Sequence, residues 1–241
     1  PLKFKEASFV RTSSVSSAQR IKAMKVPPER IKLIRRGLSD WPQRKSFECV
    51  HPNRMELLSV GRLVEKKGYF HQLELAARLE EENVSFRLKI IGAGPLSKTL
   101  EKERDRMGLN GKVVFCGSKN EEQTRAAFLE CDAFLFTGVI AENGDRDGIP
   151  NVIPEALAAG CLVLASDKAG ASEAFVDGIS GFSISPENHE EWVNALLDFS
   201  RDPQDFDAMR KAGIKRAKEA FDVMRTVRSL RAEIEAVIQE S

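Results

Sequence analysis

Short apolar-rich runs recur along the chain, and most are followed by a Gly-containing turn and then by a stretch of helical periodicity. The runs at residues 55–60, 86–91, 113–116, 133–136, 162–165 and 181–184 are the length of buried strands. Between them, helices are expected at 69–82, 96–107 and 121–130, then from Asn151 to Gly160, and a short one at 171–176. In the first of these, Leu73, Leu75, Ala76 and Leu79 fall near helical spacing. Helices at about 187–200, 203–220 and 222–239 close the chain. Such alternation with short loops predicts an α/β fold with a doubly wound parallel sheet and C-terminal helices. Ahead of it, residues 7–14 form a short strand entering a Ser-rich turn, 16–24 a helix and 31–34 a strand, with Gly37 opening a turn. Residues 41–53 are polar and irregular and read as a linker. The predicted division is therefore a connecting segment over 1–50 and the α/β domain over 51–241.

Doubly wound sheets bind ligands at the C-terminal ends of their strands. The residues suited to chemistry follow strands here. Gly61 and Arg62 come after the first strand of the unit, with Lys67 five residues on. Arg62 offers a forked charge and Lys67 a compact one, and across a tight turn both could reach one diphosphate. Both could equally be solvated loop charges. Gly92-Ala93-Gly94-Pro95 is a tight strand-to-helix turn and a weak phosphate signal alone. Gly117-Ser118-Lys119-Asn120 is a further loop, with Asn120 suited to cap the next helix.

The densest stretch is Asp147-Gly148-Ile149-Pro150-Asn151-Val152-Ile153-Pro154-Glu155. Gly148 permits close backbone approach. Asn151 is a good helix cap, Pro154 fits a first turn, and Gly160 fits a helix stop. Free N–H groups at such a helix start favour anions. Glu155 could accept from two adjacent hydroxyls, or could simply complement the helix dipole. Asp147 could bind a hydroxyl or be a loop-tip acid, and Arg146 could pair with Asp145 or Asp147. Glu173 reads as a helix-start acid.

These motifs resemble the signature of retaining glycosyltransferases of family 4, which have the GT-B fold. Asp147, Gly148, Pro150 and Glu155-Ala156 match that family's acid, Gly-x-Pro and Glu-Ala pattern, although its first acid is usually Glu. Gly61-Arg62-Leu63-Val64-Glu65-Lys66-Lys67-Gly68 matches its Gly-Arg-Leu-x-x-x-Lys-Gly motif. The resemblance implies a Rossmann-like lobe, the donor-binding half of a two-lobed enzyme, covering about three quarters of the chain. It implies that Arg62 and Lys67 hold the donor diphosphate, Glu155 the ribose and Asp147 a donor-sugar hydroxyl. Gly61, Gly94, Ser118, Gly148, Ile149, Pro150 and Asn151 would line the donor site. The expected donor is a UDP- or GDP-sugar, with no cofactor or metal, and the reaction a hexosyl transfer with retention in polysaccharide or glycoconjugate biosynthesis. The acceptor glycan would belong to an N-terminal lobe. Residues 1–40 resemble the segment ahead of the C-terminal lobe, and Arg36 is given no binding role. Without the other lobe the chain is expected to bind donor weakly and to lack transferase activity. It would also leave Val223, Val227, Leu230, Ile234 and Val237 of the last helix partly exposed. Two other classes share these features: a nucleotide-sugar epimerase of the same fold, and a non-catalytic nucleotide-sugar-binding domain.

Composition narrows this little. The 241 residues suffice for one large α/β domain, and a net charge of +1 suggests neither nucleic acid nor membrane as a partner. No apolar run is long enough for a transmembrane helix. Lys3, Lys5 and Glu6 break the pattern of a signal peptide, and a start at Pro1 suggests a fragment. Cys49, Cys116, Cys131 and Cys161 lack metal-site spacing, and the last three sit in or beside apolar runs as free thiols. That fits a cytoplasmic protein, peripheral at the inner membrane face through its other lobe. His51, His71 and His189 share no motif.

Overall fold

A computed structural model describes residues 4, 6–42, 44, 46–168 and 170–240. Pro1, Lys3 and Lys5, used above to read the N-terminus, lie outside them. The strands are β1 (Val10–Thr12), β2 (Ile31–Leu33), β3 (Met55–Val60), β4 (Phe86–Ile91), β5 (Val113–Phe115), β6 (Ala133–Phe136), β7 (Leu162–Ser166) and β8 (Phe182–Ile184). The last six form one sheet in the order β5-β4-β3-β6-β7-β8, and every neighbouring pair is parallel. The chain thus winds outward in one direction from β3, returns, and winds outward the other way from β6. The crevice at the C-terminal ends of β3 and β6 is the topological switch point.

Both sheet faces are covered, as a parallel sheet requires. Alternate residues feed the two cores. Leu57, Leu135 and Leu164 pack with Leu73 and Leu79 of the helix Tyr69–Glu81 and with Trp192 and Leu196 of the helix His189–Arg201. Leu58, Phe134 and Val163 pack on the other side with Ile153 and Leu157 of the helix Val152–Ala158 and Phe128 of the helix Glu121–Leu129. Observed bounds differ from the expected ones by a residue or two. One exception is the segment after residue 202, where Pro203–Phe206 is a 3-10 turn and the helix proper is Asp207–Ala220. Proline's fixed φ and lost donor suit that tighter first turn.

β1 and β2 form a separate parallel pair around the helix Val15–Ala23. Glu173 joins that helix to the main domain, accepting from the N–H groups of Val15 and Ser16 at 2.6 and 2.9 Å. The helix Val223–Glu240 is stitched to the segment that follows β2. Leu38 N–H donates to Phe221 O at 2.6 Å, Val223 N–H to Leu38 O at 3.2 Å, and Thr226 Oγ1 to Arg35 O at 3.0 Å. Val227 and Ile234 of this helix are exposed, and Val223, Leu230 and Val237 half-buried.

Residues 46–53 and Arg44 have no regular structure but are tied down. Arg44 donates to Ala159 O and Phe128 O at 3.2 Å each and also to Cys131 O, so it serves carbonyls at two helix C-termini. Buried Asp132 accepts from Val50 N–H and Glu56 N–H. Cys131 and Cys161 meet as buried thiols, with sulfurs 3.3 Å apart. His71 and His189, unrelated in sequence, meet at 3.0 Å between the helices Tyr69–Glu81 and His189–Arg201.

The loops at the switch point depend on glycine. Gly68 has φ +67°, and a Cβ there would lie 1.8 Å from Thr137 O. Gly117 has nearly the same φ, +66°, but faces open space. Gly117→Ala should therefore cost only the left-handed backbone strain, about 1–2 kcal/mol. Gly68→Ala should cost roughly 2 kcal/mol more, because backbone must move. Urea unfolding of the two variants measures the difference.

Candidate functional site

The loop after β3 starts the site. Gly61 N–H donates to Ile91 O at 2.9 Å, and Gly61 O accepts from the Tyr69 hydroxyl at 2.9 Å. A 3-10 turn over Glu65–Lys67 then ends at Gly68, in the left-handed conformation. Thr137, just past β6, donates to Gly68 O at 2.8 Å, and Val139 N–H donates to Lys66 O at 2.9 Å. The β3 loop is thus fastened across the switch point to the chain leaving β6.

That fastening aims Lys67 at Asp147. Its Nζ lies 2.7 Å from Asp147 Oδ2 and 5.0 Å from the Phe136 ring centre. The contact lacks hydrogen-bond alignment, and Oδ2 is a buried acceptor with no aligned donor. Lys66 stands 3.6 Å from Asp147 Oδ1 and 3.1 Å from Asp145. Burial works against its charge, but the two carboxylates outweigh it and hold the ammonium above its ordinary pKa. Arg146 pairs with neither aspartate; Lys66 and Lys67 take both. Arg62 is exposed and has no side-chain partner among the described residues.

Glu155 lies in the first turn of the helix Val152–Ala158 and faces a cleft of about 320 Å³. Arg36, Lys119, Thr124, Arg125 and Phe128 also line it. Arg125 is already paired, with Asp40 and with Glu121 at 3.1 Å. Arg36 has no ion-pair partner among the described residues, so the residue given no binding role supplies a cation facing Glu155. Burial pushes the Glu155 carboxyl above its ordinary pKa of 4.5; Arg36 opposes the rise.

The other expected residues fall around these two centres. Asn151 does not cap the helix with its side chain. It is itself helical, at φ −57° and ψ −31°, and Ile153 N–H donates to Pro150 O at 3.1 Å. Proline at 150 runs the turn directly into the helix, so the capping geometry is lost. Ile149 and Asn151 line a small void together with Arg36. Gly148 lies against the Ser-rich turn, where a Cβ would stand 3.2 Å from Ser14 Oγ. A Cβ on Gly94 would stand 2.3 Å from Leu63 O, so its small size lets two loops pack backbone to backbone. Ser118 is exposed beside Lys119, and Asn120 caps the next helix in a reciprocal box with Gln123. Glu173 lies within the 3-10 turn Ala171–Ala174 but caps a different helix, as above. Lys66, Arg36 and Glu173 are the members that sequence reasoning missed. Only Lys66 had a signal, its place inside the Gly-Arg-Leu motif. Among the described residues, no group of three or more His, Cys, Asp or Glu side chains could hold a metal ion.

A doubly wound parallel domain with paired cations and two acids at its switch point has the architecture of a lobe of a GT-B glycosyltransferase. The chain belongs to the family of glycosyl transferases group 1, which its residues 43–219 match. It is 33% identical over 204 residues to a Salmonella typhimurium protein named as a colanic acid biosynthesis glycosyltransferase, WcaL, covering 84% of this chain and 49% of that one. It is 32% identical over 178 residues to the amylovoran biosynthesis glycosyltransferase AmsK of Erwinia amylovora, covering 73% and 43%. The chain thus spans about half the length of these relatives. The crystal structure of Anabaena HepE in complex with UDP and glucose superposes with a TM-score of 0.83 at 22% identity, over 97% of this chain and 64% of that one.

The state of Glu155 makes a testable difference to stability. In the fold it keeps its proton to higher pH than in the unfolded chain. The folded state therefore binds more protons from the ordinary value of 4.5 up to the raised one, and stability falls as pH rises through that window. Glu155→Gln should be more stable than the parent at about pH 7, with the gap closing below about pH 4. Urea midpoints at the two pH values check this.

Proposed function

We propose that this chain is the donor-binding lobe of a retaining, family 4-type glycosyltransferase that takes a hexose from a nucleoside diphosphate sugar to a glycan acceptor. The observation carrying this is the seating of Lys67 and Lys66 on Asp147, in the loop that leads into the helix whose Glu155 faces the cleft. The relatives named for colanic acid and amylovoran biosynthesis support a role in polysaccharide assembly, and HepE, which holds UDP and glucose, supports the donor class.

In this reading the ribose hydroxyls bind the Glu155 carboxylate, and the base lies near Lys119 and Ser118. The donor's diphosphate takes Lys67 and Arg62, which neutralise the charge that grows as the sugar–phosphate bond breaks. Withdrawal of Lys67 toward phosphate opens Asp147 Oδ2 to a sugar hydroxyl, while Lys66 stays beside Oδ1. The two cations do this without a metal, and the attacking hydroxyl approaches on the face the diphosphate leaves. The acceptor and any hold on the membrane surface belong to the rest of the protein.

Calorimetry with UDP, GDP and ADP tests the site. One nucleotide should bind, and Arg62→Ala and Glu155→Ala should each weaken it by about 10- to 100-fold, the worth of one charge-assisted hydrogen-bonding group. Binding indifferent to both substitutions sinks the assignment.

A further inference from the structure

Asp147 also borders a hollow of about 380 Å³ that Glu155 does not line, between the helix Val15–Ala23 and the loop that carries Asp147. Its walls include Ser16, Ser17, Gln19, Arg20, Arg146 and Asp147, and Gly148 adds no side chain. The charges around it do not cancel. Lys66 and Lys67 answer Asp145 and Asp147. The nearby Glu173 carboxylate is taken by the N–H groups of Val15 and Ser16. Arg20 and Arg146 remain, and neither guanidinium has a carboxylate partner among the described residues. Arg146 Nε is buried and without a hydrogen-bond partner.

A buried donor left unmade is costly, and a guanidinium's fork matches carboxylate and phosphate oxygens. Two such groups, two hydroxyls and an amide around one hollow form a receptor for an oxyanion attached to a polar molecule. A neutral sugar could accept from Arg146 Nε but would leave its charge unpaired.

We infer that the hollow binds an anionic group, phosphate or carboxylate, carried by the sugar acceptor next to the hydroxyl that is glycosylated. The assignment to the acceptor rests on the donor reading above. If the transferred sugar sits on Asp147 and the nucleoside on Glu155, the hollow beyond Asp147 is where the attacking molecule enters. The anion also holds the acceptor at a fixed distance from the sugar, which favours one hydroxyl over its neighbours.

The test uses the chain saturated with UDP and follows the Arg146 Nε–Hε signal by NMR. It is titrated in turn with glucose 1-phosphate, glucuronate and neutral methyl glucoside. Either anionic sugar should move that signal and saturate, and the one that binds tells phosphate from carboxylate; methyl glucoside should not bind. Arg146→Gln should weaken the anionic sugar at least tenfold and Arg20→Gln about threefold, with UDP affinity unchanged in both, which also reports an intact fold. Equal binding of the neutral sugar, or undiminished anion binding in Arg146→Gln, overturns the inference. A wild-type chain that fails to bind UDP yet still shows the anion on Arg146 would end the donor reading and with it the acceptor assignment, while leaving the anion site in place.

Discussion

Contact of backbone with backbone across the switch point is the constraint on which the site depends. Gly68 sits on Thr137 across it, and within one half of the sheet Gly92 sits on Gly61 and Gly94 on Leu63, each where a side chain would collide with main chain. Loops pressed this closely have little freedom to wander. They deliver Lys66 and Lys67 from one half of the sheet to acids carried by the other half. A charge placed by such packing costs little reorganisation when a ligand arrives, the condition under which electrostatic stabilisation is most effective.

Asp147 divides the surface. Toward the sheet it is answered by two ammonium groups. Glu155, on the next helix, looks into a different cleft with Arg36. The acids are therefore not a catalytic pair sharing a proton. They stand in two environments, one beside two ammonium groups and the other drawn toward its acid form by burial. A residue one methylene shorter than the family's usual Glu suffices for contact with Lys67 at 2.7 Å.

Much of this was legible in the sequence because it is local. Strands such as 86–91 and 133–136 announce themselves by apolar runs, and the Gly61–Gly68 and Asp147–Glu155 motifs carry their spacing with them. What was illegible is pairing at a distance. Nothing near Arg36 says that it will face Glu155, and nothing near His71 points to His189. Arg146 looked like the partner of its own neighbours until Lys66 and Lys67 arrived from another loop. Asn151 looked like a cap by residue type, but Pro150 had already turned the backbone into the helix. Local patterns specify elements; the identity of a charge's partner depends on which loops the sheet brings together.

The carboxylate of Glu173 on the helix Val15–Ala23 has a bearing on how the chain assembles. The helix Val15–Ala23 is completed by an acid 158 residues further on from Val15. Contacts so distant in sequence carry a large loop-closure cost and form late. That helix, though made before the main sheet, has its start satisfied only after β7 and the turn beyond it exist. The hollow with Arg20 and Arg146 is built against that helix, so its closure waits on the same long-range contact.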